Sequence, residues 1–166
     1  MKRVPILPSL LPFVLLACGR SASETELPVS TVPEGFYLAV APTGAHGVLE
    51  TRAVARPGDS VVVAGRVMDF VEGRAALRMV DASLPACNEA GPMDDCPTPW
   101  DFCCDDPAEL AQALAVVELR DAGGLVKSGL RGFHGLDHLK PLVVQGTLEQ
   151  DADGNLTVAA TGIHVQ

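Results

Sequence analysis

The sequence predicts an all-β fold: a small antiparallel β-barrel or sandwich, most economically a five-stranded barrel, interrupted by a cysteine-rich loop insertion. Three observations predict the barrel. Five segments of alternating or β-branched apolar residues are each bounded by Gly, Pro, Asn or Asp turn signals. Little of the chain keeps a helical period. Two hairpins are marked by Asp121-Ala122-Gly123-Gly124 and by Asp151-Ala152-Asp153-Gly154-Asn155. So few strands leave exposed edges unless the sheet closes on itself, and a barrel closes it. A chain of 166 residues fits one domain of this kind.

The elements follow in order. Residues 36–40 form a short strand candidate, stopped by Pro42-Thr43-Gly44. Residues 48–55 could make two helical turns, with Val48, Leu49 and Val54 as apolar contacts. Arg56-Pro57-Gly58-Asp59 is a turn signal. Residues 60–69 (SVVVAGRVMD) are a strong strand, in which Gly65 suggests a bulge or a sharp bend. Glu72-Gly73 turns the chain into a second strand over 74–84, with Leu77 and Met79 on one face and Arg78 and Val80 on the other. A possible helical turn at residue 109 leads into a strand at 115–119, and 125–130 returns. Residues 132–141 are a compact connector. The last hairpin pairs 142–150 with 156–165, where Leu142, Val144 and Leu148 alternate, as do Leu156, Val158 and Ala160.

The amino-terminal residues have a separate logic. Lys2 and Arg3 precede a mostly apolar stretch, VPILPSLLPFVLL, that ends in Leu15-Leu16-Ala17-Cys18. A basic start, a short apolar run and a small residue before the cysteine describe an export signal over residues 1–17, too short and proline-broken to span a bilayer. The Leu-Leu-Ala-Cys ending resembles the lipobox of bacterial lipoproteins. That resemblance implies acylation of Cys18, cleavage before it and anchoring in a membrane, and Gly19 points to the outer-membrane class. Residues 18–34 are polar and without period, and read as a flexible tether. The barrel domain is then 35–166.

Charge narrows the partners. The formal net charge is −9. Removing residues 1–17 takes away two basic side chains and leaves 10 against 21 acidic ones, a net of −11. Residues 79–119 contain no Lys, Arg or His and nine acids. Such a surface repels phosphate, so no nucleic acid is expected as a partner.

Residues 85–107 break all periodicity and hold Cys87, Cys96, Cys103 and Cys104. An even number of cysteines in an exported chain favours disulfides. A Cys103–Cys104 bridge would make a strained ring, which leaves 87–103 with 96–104, or 87–104 with 96–103. The alternative is a metal centre or a redox pair on the same four thiols. The C-x8-C-x6-C-C spacing lacks the close pairs of structural zinc sites. No resident cofactor is expected. Trp100, between the cysteines, is expected to pack over a disulfide or plug a barrel end.

Other candidates carry less. His134 and His138 stand four apart, but Gly132 and Gly135 oppose the helix that would align them, so an exposed connector is expected. Asp151, Asp153 and Asn155 echo the start of a calcium loop that fails at position twelve, Gly162, and a hairpin turn explains them. No nucleophile elbow, P-loop or dinucleotide fingerprint is present, and Asp94-Asp95 and Asp105-Asp106 fall in an acidic, proline-rich loop.

Residues 58–82 look like strands one and two of an OB-fold, and the closing LKPLVVQGTLEQDADGNLTVAATGIHV looks like strands four and five. The domain from about residue 33, with its CPTPWDFCC string at 96–104, resembles a group of uncharacterised bacterial lipoproteins. That resemblance implies fold and address, and no activity. The final hairpin is also similar to the end of the periplasmic haem chaperone barrel. That family attaches haem through a histidine with a nearby following tyrosine. Here His164 is followed only by Val165 and Gln166, and the sole tyrosine is Tyr37, so haem is not expected.

The expectation is a non-enzymatic, lipid-anchored module of the cell envelope, on the outer membrane facing the periplasm, that binds an envelope protein or small ligand. The alternative is a periplasmic metal-binding or thiol-redox lipoprotein using the four cysteines.

Overall fold

In the computed structural model, residues 30–90, 98, 101–103 and 105–166 are described. Strand β1 (His46–Gly47) leads directly into helix α1 (Val48–Val54). The barrel strands are β2 (Ser60–Phe70), β3 (Ala76–Val80), β4 (Leu114–Asp121), β6 (Pro141–Gln150) and β7 (Leu156–Val165). Helices α2 (Cys87–Ala90) and α3 (Pro107–Gln112) lie between β3 and β4, and the short β5 (Gly124–Leu125) pairs with the end of β4.

Strand pairing runs β2-β3-β4-β7-β6, and β6 pairs back onto β2, so the sheet closes. This is the five-stranded OB-like barrel that the strand pattern predicts. Within the barrel one pairing departs from the antiparallel expectation: β4 and β7 are parallel, Ala115 to Leu119 facing Leu156 to Ala160, while outside it the short β1 also runs parallel to β2. The long connection between β4 and β6 allows it, since parallel neighbours need a crossover rather than a tight turn.

The core is filled by the inward row of each strand: Val63 and Val67 on β2, Leu77 and Met79 on β3, Val117 and Leu119 on β4, Val144 and Leu148 on β6, Val158 and Ile163 on β7. Two bulges set which residues face in. On β2, Val67 faces Met79 and Asp69 faces Arg78, so Met68 is the extra residue and turns outward. On β7, Ala160 faces Gly146 and Gly162 faces Gln145, so Thr161 is extra. That insertion shifts the phase of alternation and brings Ile163 into the core. The bulge expected at Gly65 is therefore three residues further on. Gly65 instead allows close approach: a Cβ there would meet Met79 Cγ and the Val80 carbonyl at 2.6 Å.

Other expectations are corrected. Residues 36–40 form no strand. A 3-10 turn over Glu34–Phe36 is followed by one bridge, Tyr37 to Ile163. The Ile163 neighbourhood offers that segment only one bridge, with Leu38 N–H donating to the Ile163 carbonyl at 2.8 Å. The tether also ends earlier than residue 34, because Val32 is buried in the core and Ser30 Oγ donates to the Gly129 carbonyl. The return strand expected over 125–130 is only Gly124–Leu125, while Val126 and Leu130 enter the core from irregular chain. The strand expected over 74–84 is shortened to 76–80. Beyond it, Asp81 accepts from both the Ser83 amide and hydroxyl and turns the chain.

Candidate functional site

Three structural features outside the core bear on function. The first is a groove on the outer face of the barrel. The register places Asp69, Arg78, Val116, Thr157 and Glu149 in one row across β2, β3, β4, β7 and β6. Beside Arg78, Val116 and Thr157 lies a groove of about 330 Å³ walled by Ala111 of α3 and by Asp151 and Asn155 of the β6–β7 turn. Leu114 and Val116 give it apolar surface, and Arg78, Thr157, Asp151 and Asn155 polar surface.

The walls are held by sequence-local devices. Asp106 caps α3, accepting from the Ala108 and Glu109 amides, with Pro107 at the first helical position. Asp151 closes its turn by accepting from the Asp153 and Asn155 amides and the Asn155 side chain. These bonds hold its carboxyl below the usual range, Asn155 contributing most. The residues that echo a calcium loop thus satisfy one another. Arg52 of α1 ties the two walls together. Its guanidinium donates to the carbonyls of Gln112, Leu114 and Gly154.

The charges on this face are paired. Arg78 is bound to Asp69, which raises its pKa. Arg120 is held between Glu118 and Glu149 at 2.7 Å each. Hydrogen bonding to Arg120 holds the Glu149 carboxyl below its ordinary value.

The second feature is the cysteine-rich insertion, which has its own small core. Phe102 is fully buried with Met68, Val80, Ala86 and Ala113. Arg66 of β2 reaches the insertion, donating to both oxygens of Glu89 and to the Leu84 carbonyl, and lies over the Phe102 ring. Cys87 is buried and Cys103 exposed, both unbridged, with their sulfurs 3.9 Å apart. Cys96, Cys104, Trp100 and the Asp94-Asp95 pair lie outside the described residues, as do residues 1–29 with Cys18. Among the described residues, no three His, Cys, Asp or Glu side chains gather as metal ligands do.

The third feature is a histidine that sequence reading undervalued. His134 is exposed in the 132–141 connector, as expected, but it also makes contacts. Its ring stacks on Tyr37 with centroids 3.6 Å apart, and Nε2 is 2.7 Å from Glu34. His134 sits in left-handed backbone (φ 47) within a 3-10 turn, so His138 is not on a shared helical face with it. His164 Nδ1 contacts the Leu38 carbonyl at 2.8 Å. Both histidines fasten the amino-terminal segment to the barrel. No motif announces this, because the partners are about 100 or more residues apart.

No protein-family model matches the chain, and no curated protein matches it. Among solved structures, "OBody AM1L10 bound to hen egg-white lysozyme" is similar, at 17% identity and a TM-score of 0.40, over 77% of this chain and 98% of that one.

Proposed function

We propose that this protein is a lipid-anchored, non-enzymatic binding module of the cell envelope, using the groove beside Arg78, Val116 and Thr157. The observation that carries the reading is that groove: a mixed polar and apolar hollow on the outer face of a closed barrel, walled by a capped helix and a braced turn. Arg78 and Arg120 are held in ion pairs while Asp151 on the wall has only neutral partners, so the contact it suits is a neutral or cationic group with an apolar portion. Nucleic acid is not the partner, because Arg78 and Arg120 are committed to carboxylates and the net charge is −9.

The address rests on Cys18 and the basic, apolar leader before it. No helix among the described residues is long and apolar enough to cross a membrane. The topology supports an orientation. The amino-terminal segment enters at Ser30, beside Ser128 and Gly129, near the β2–β3 turn. The groove opens at the opposite end, beside the β6–β7 turn. Ser30 is twelve steps along the chain from Cys18, a span of at most ~43 Å. Attachment at that end leaves the groove free to face away from the bilayer, on the periplasmic side of an outer membrane.

The test has two arms on the full chain in cells. Wild type incorporates labelled fatty acid and sediments with membranes, and Cys18→Ala does neither; unlabelled wild type in the soluble fraction overturns the anchor. A photoreactive residue at Thr157 crosslinks to a discrete envelope component, and one at Lys127 does not. Equal crosslinking at both overturns the groove.

A further inference from the structure

We infer that Cys87 and Cys103 form a disulfide through an ordered exchange in which Cys103 reacts first and Cys87 closes the bond. The reading is independent of the groove. The cysteine count leaves two pairings open, and the structure distinguishes them through the backbone around these two residues.

Three contacts bring the sulfurs to 3.9 Å. The Cys87 amide donates to the Asp101 carbonyl at 2.9 Å, pairing the two chain segments side by side. Ala86 and Phe102, the neighbours of the two cysteines, are both fully buried in the insertion core. Glu89, two residues after Cys87, accepts from the Ala86 amide and from Arg66 of the barrel. Each cysteine is thus fixed by a neighbour that cannot move without opening the small core. Closing a 3.9 Å contact to the ~2.05 Å of a bond needs only side-chain rotation and a small backbone adjustment.

The exposures differ, and that sets the order. Cys87 is 3% exposed, whereas Cys103 is open to solvent. Of these two, a disulfide-bearing thiol oxidase, or a small-molecule disulfide in an oxidising compartment, can reach Cys103 and not Cys87. The Cys103 thiolate attacks one sulfur of that disulfide, forming a mixed disulfide and releasing the oxidant's first thiolate. The Cys87 sulfur, having lost its proton to solvent, then attacks the Cys103 sulfur and releases the second. Two thiols of the protein lose two protons and two electrons, and the oxidant's disulfide gains the electrons as two thiols.

The position has a structural consequence. The bond closes the chain just before α3, the helix that walls the groove, and lies outside the barrel strands. Reduction is therefore expected to loosen the insertion without opening the β-sheet.

The experiment uses exported full-length protein. Tryptic cleavage keeps all four cysteines on residues 79–120, because that segment has no internal Lys or Arg. Variants are therefore needed beside fragmentation of that peptide. With thiols counted on that peptide, which excludes Cys18, Cys96→Ser with Cys104→Ser should yield no free thiol on denaturation, while Cys96→Ser with Cys103→Ser should retain two. The reverse pattern, or a wild-type peptide whose fragments link Cys87 to Cys104, overturns the pairing. In Cys87→Ser, a small disulfide should remain trapped on Cys103, and in Cys103→Ser the Cys87 thiol should react at least tenfold more slowly than Cys103 does. Equal rates overturn the order. Should the variants not fold, fragmentation of the wild-type peptide alone decides the pairing: a Cys87–Cys103 link supports it, and any other partner for Cys87, or four free thiols, overturns it.

Discussion

Asp81 and Gly47 form a coupled pair whose energetics can be worked from the structure. Asp81 is buried and lies at the end of β3, yet its Oδ2 accepts from the Leu49 amide at 2.9 Å and so caps α1 from 32 residues away. Its Oδ1 accepts from the Ser83 amide and hydroxyl. Removing a cap costs ~0.5–2 kcal/mol. Ser83 is exposed and can turn to water, so Asp81→Ala is expected to cost about 2 kcal/mol, mostly at the Leu49 amide. Gly47 immediately precedes α1, and a Cβ built there would meet Asp81 Oδ2 at 2.6 Å. The three atoms nearest that Cβ all belong to Asp81, so nothing else resists an alanine. In wild type, Gly47→Ala must push the carboxylate off the cap, costing ~1–3 kcal/mol. In the Asp81→Ala background the space is vacated and the same change should cost almost nothing. Urea denaturation of the four proteins, read at constant slope, should give a coupling of about 1–2 kcal/mol. Additivity within ~0.5 kcal/mol would refute the account.

Three further expectations follow from single residues. Burial opposes ionisation of Asp81, but bonds from Ser83, Leu49 and Val48 outweigh it and hold its pKa below the ordinary value. A lowered folded pKa means that this contribution is present above the unfolded carboxyl's pH of ~4 and is lost as pH falls through the folded value; denaturation midpoints of wild type should fall there more steeply than those of Asp81→Asn. Arg52→Met should cost about 2–4 kcal/mol by leaving three carbonyls without their shared donor, and Arg52→Lys should restore less than half in thermal melts. Phe102→Ala should cost about 3–5 kcal/mol of local stability, read as fast proteolysis within 85–107 while the β-strand circular dichroism persists; unchanged cleavage would contradict a packed insertion.

Alternation along the chain marks the longer strands and much of their inward rows. Leu77 with Met79, Leu142 with Val144 and Leu148, and Leu156 with Val158 alternate in sequence and are buried in the structure, because a period of two is a local property of the chain. The sequence also marked α1 and the last hairpin, since apolar spacing and turn chemistry are local. Only the tertiary structure decided the rest. The parallel meeting of β4 and β7 depends on which edges remain free at closure, and the bulges at Met68 and Thr161 on where twist accumulates. Two carboxylates illustrate the same limit. Asp106 caps α3 from the adjacent position and is readable as Asp-Pro, whereas Asp81 caps α1 across 32 residues and looks like any acid after a strand. His134 likewise has no local signal, since Glu34 and Tyr37 reach it only when the chain folds back. The groove joins α3, three strands and a turn drawn from separate parts of the sequence, so its floor becomes a site only when the barrel closes.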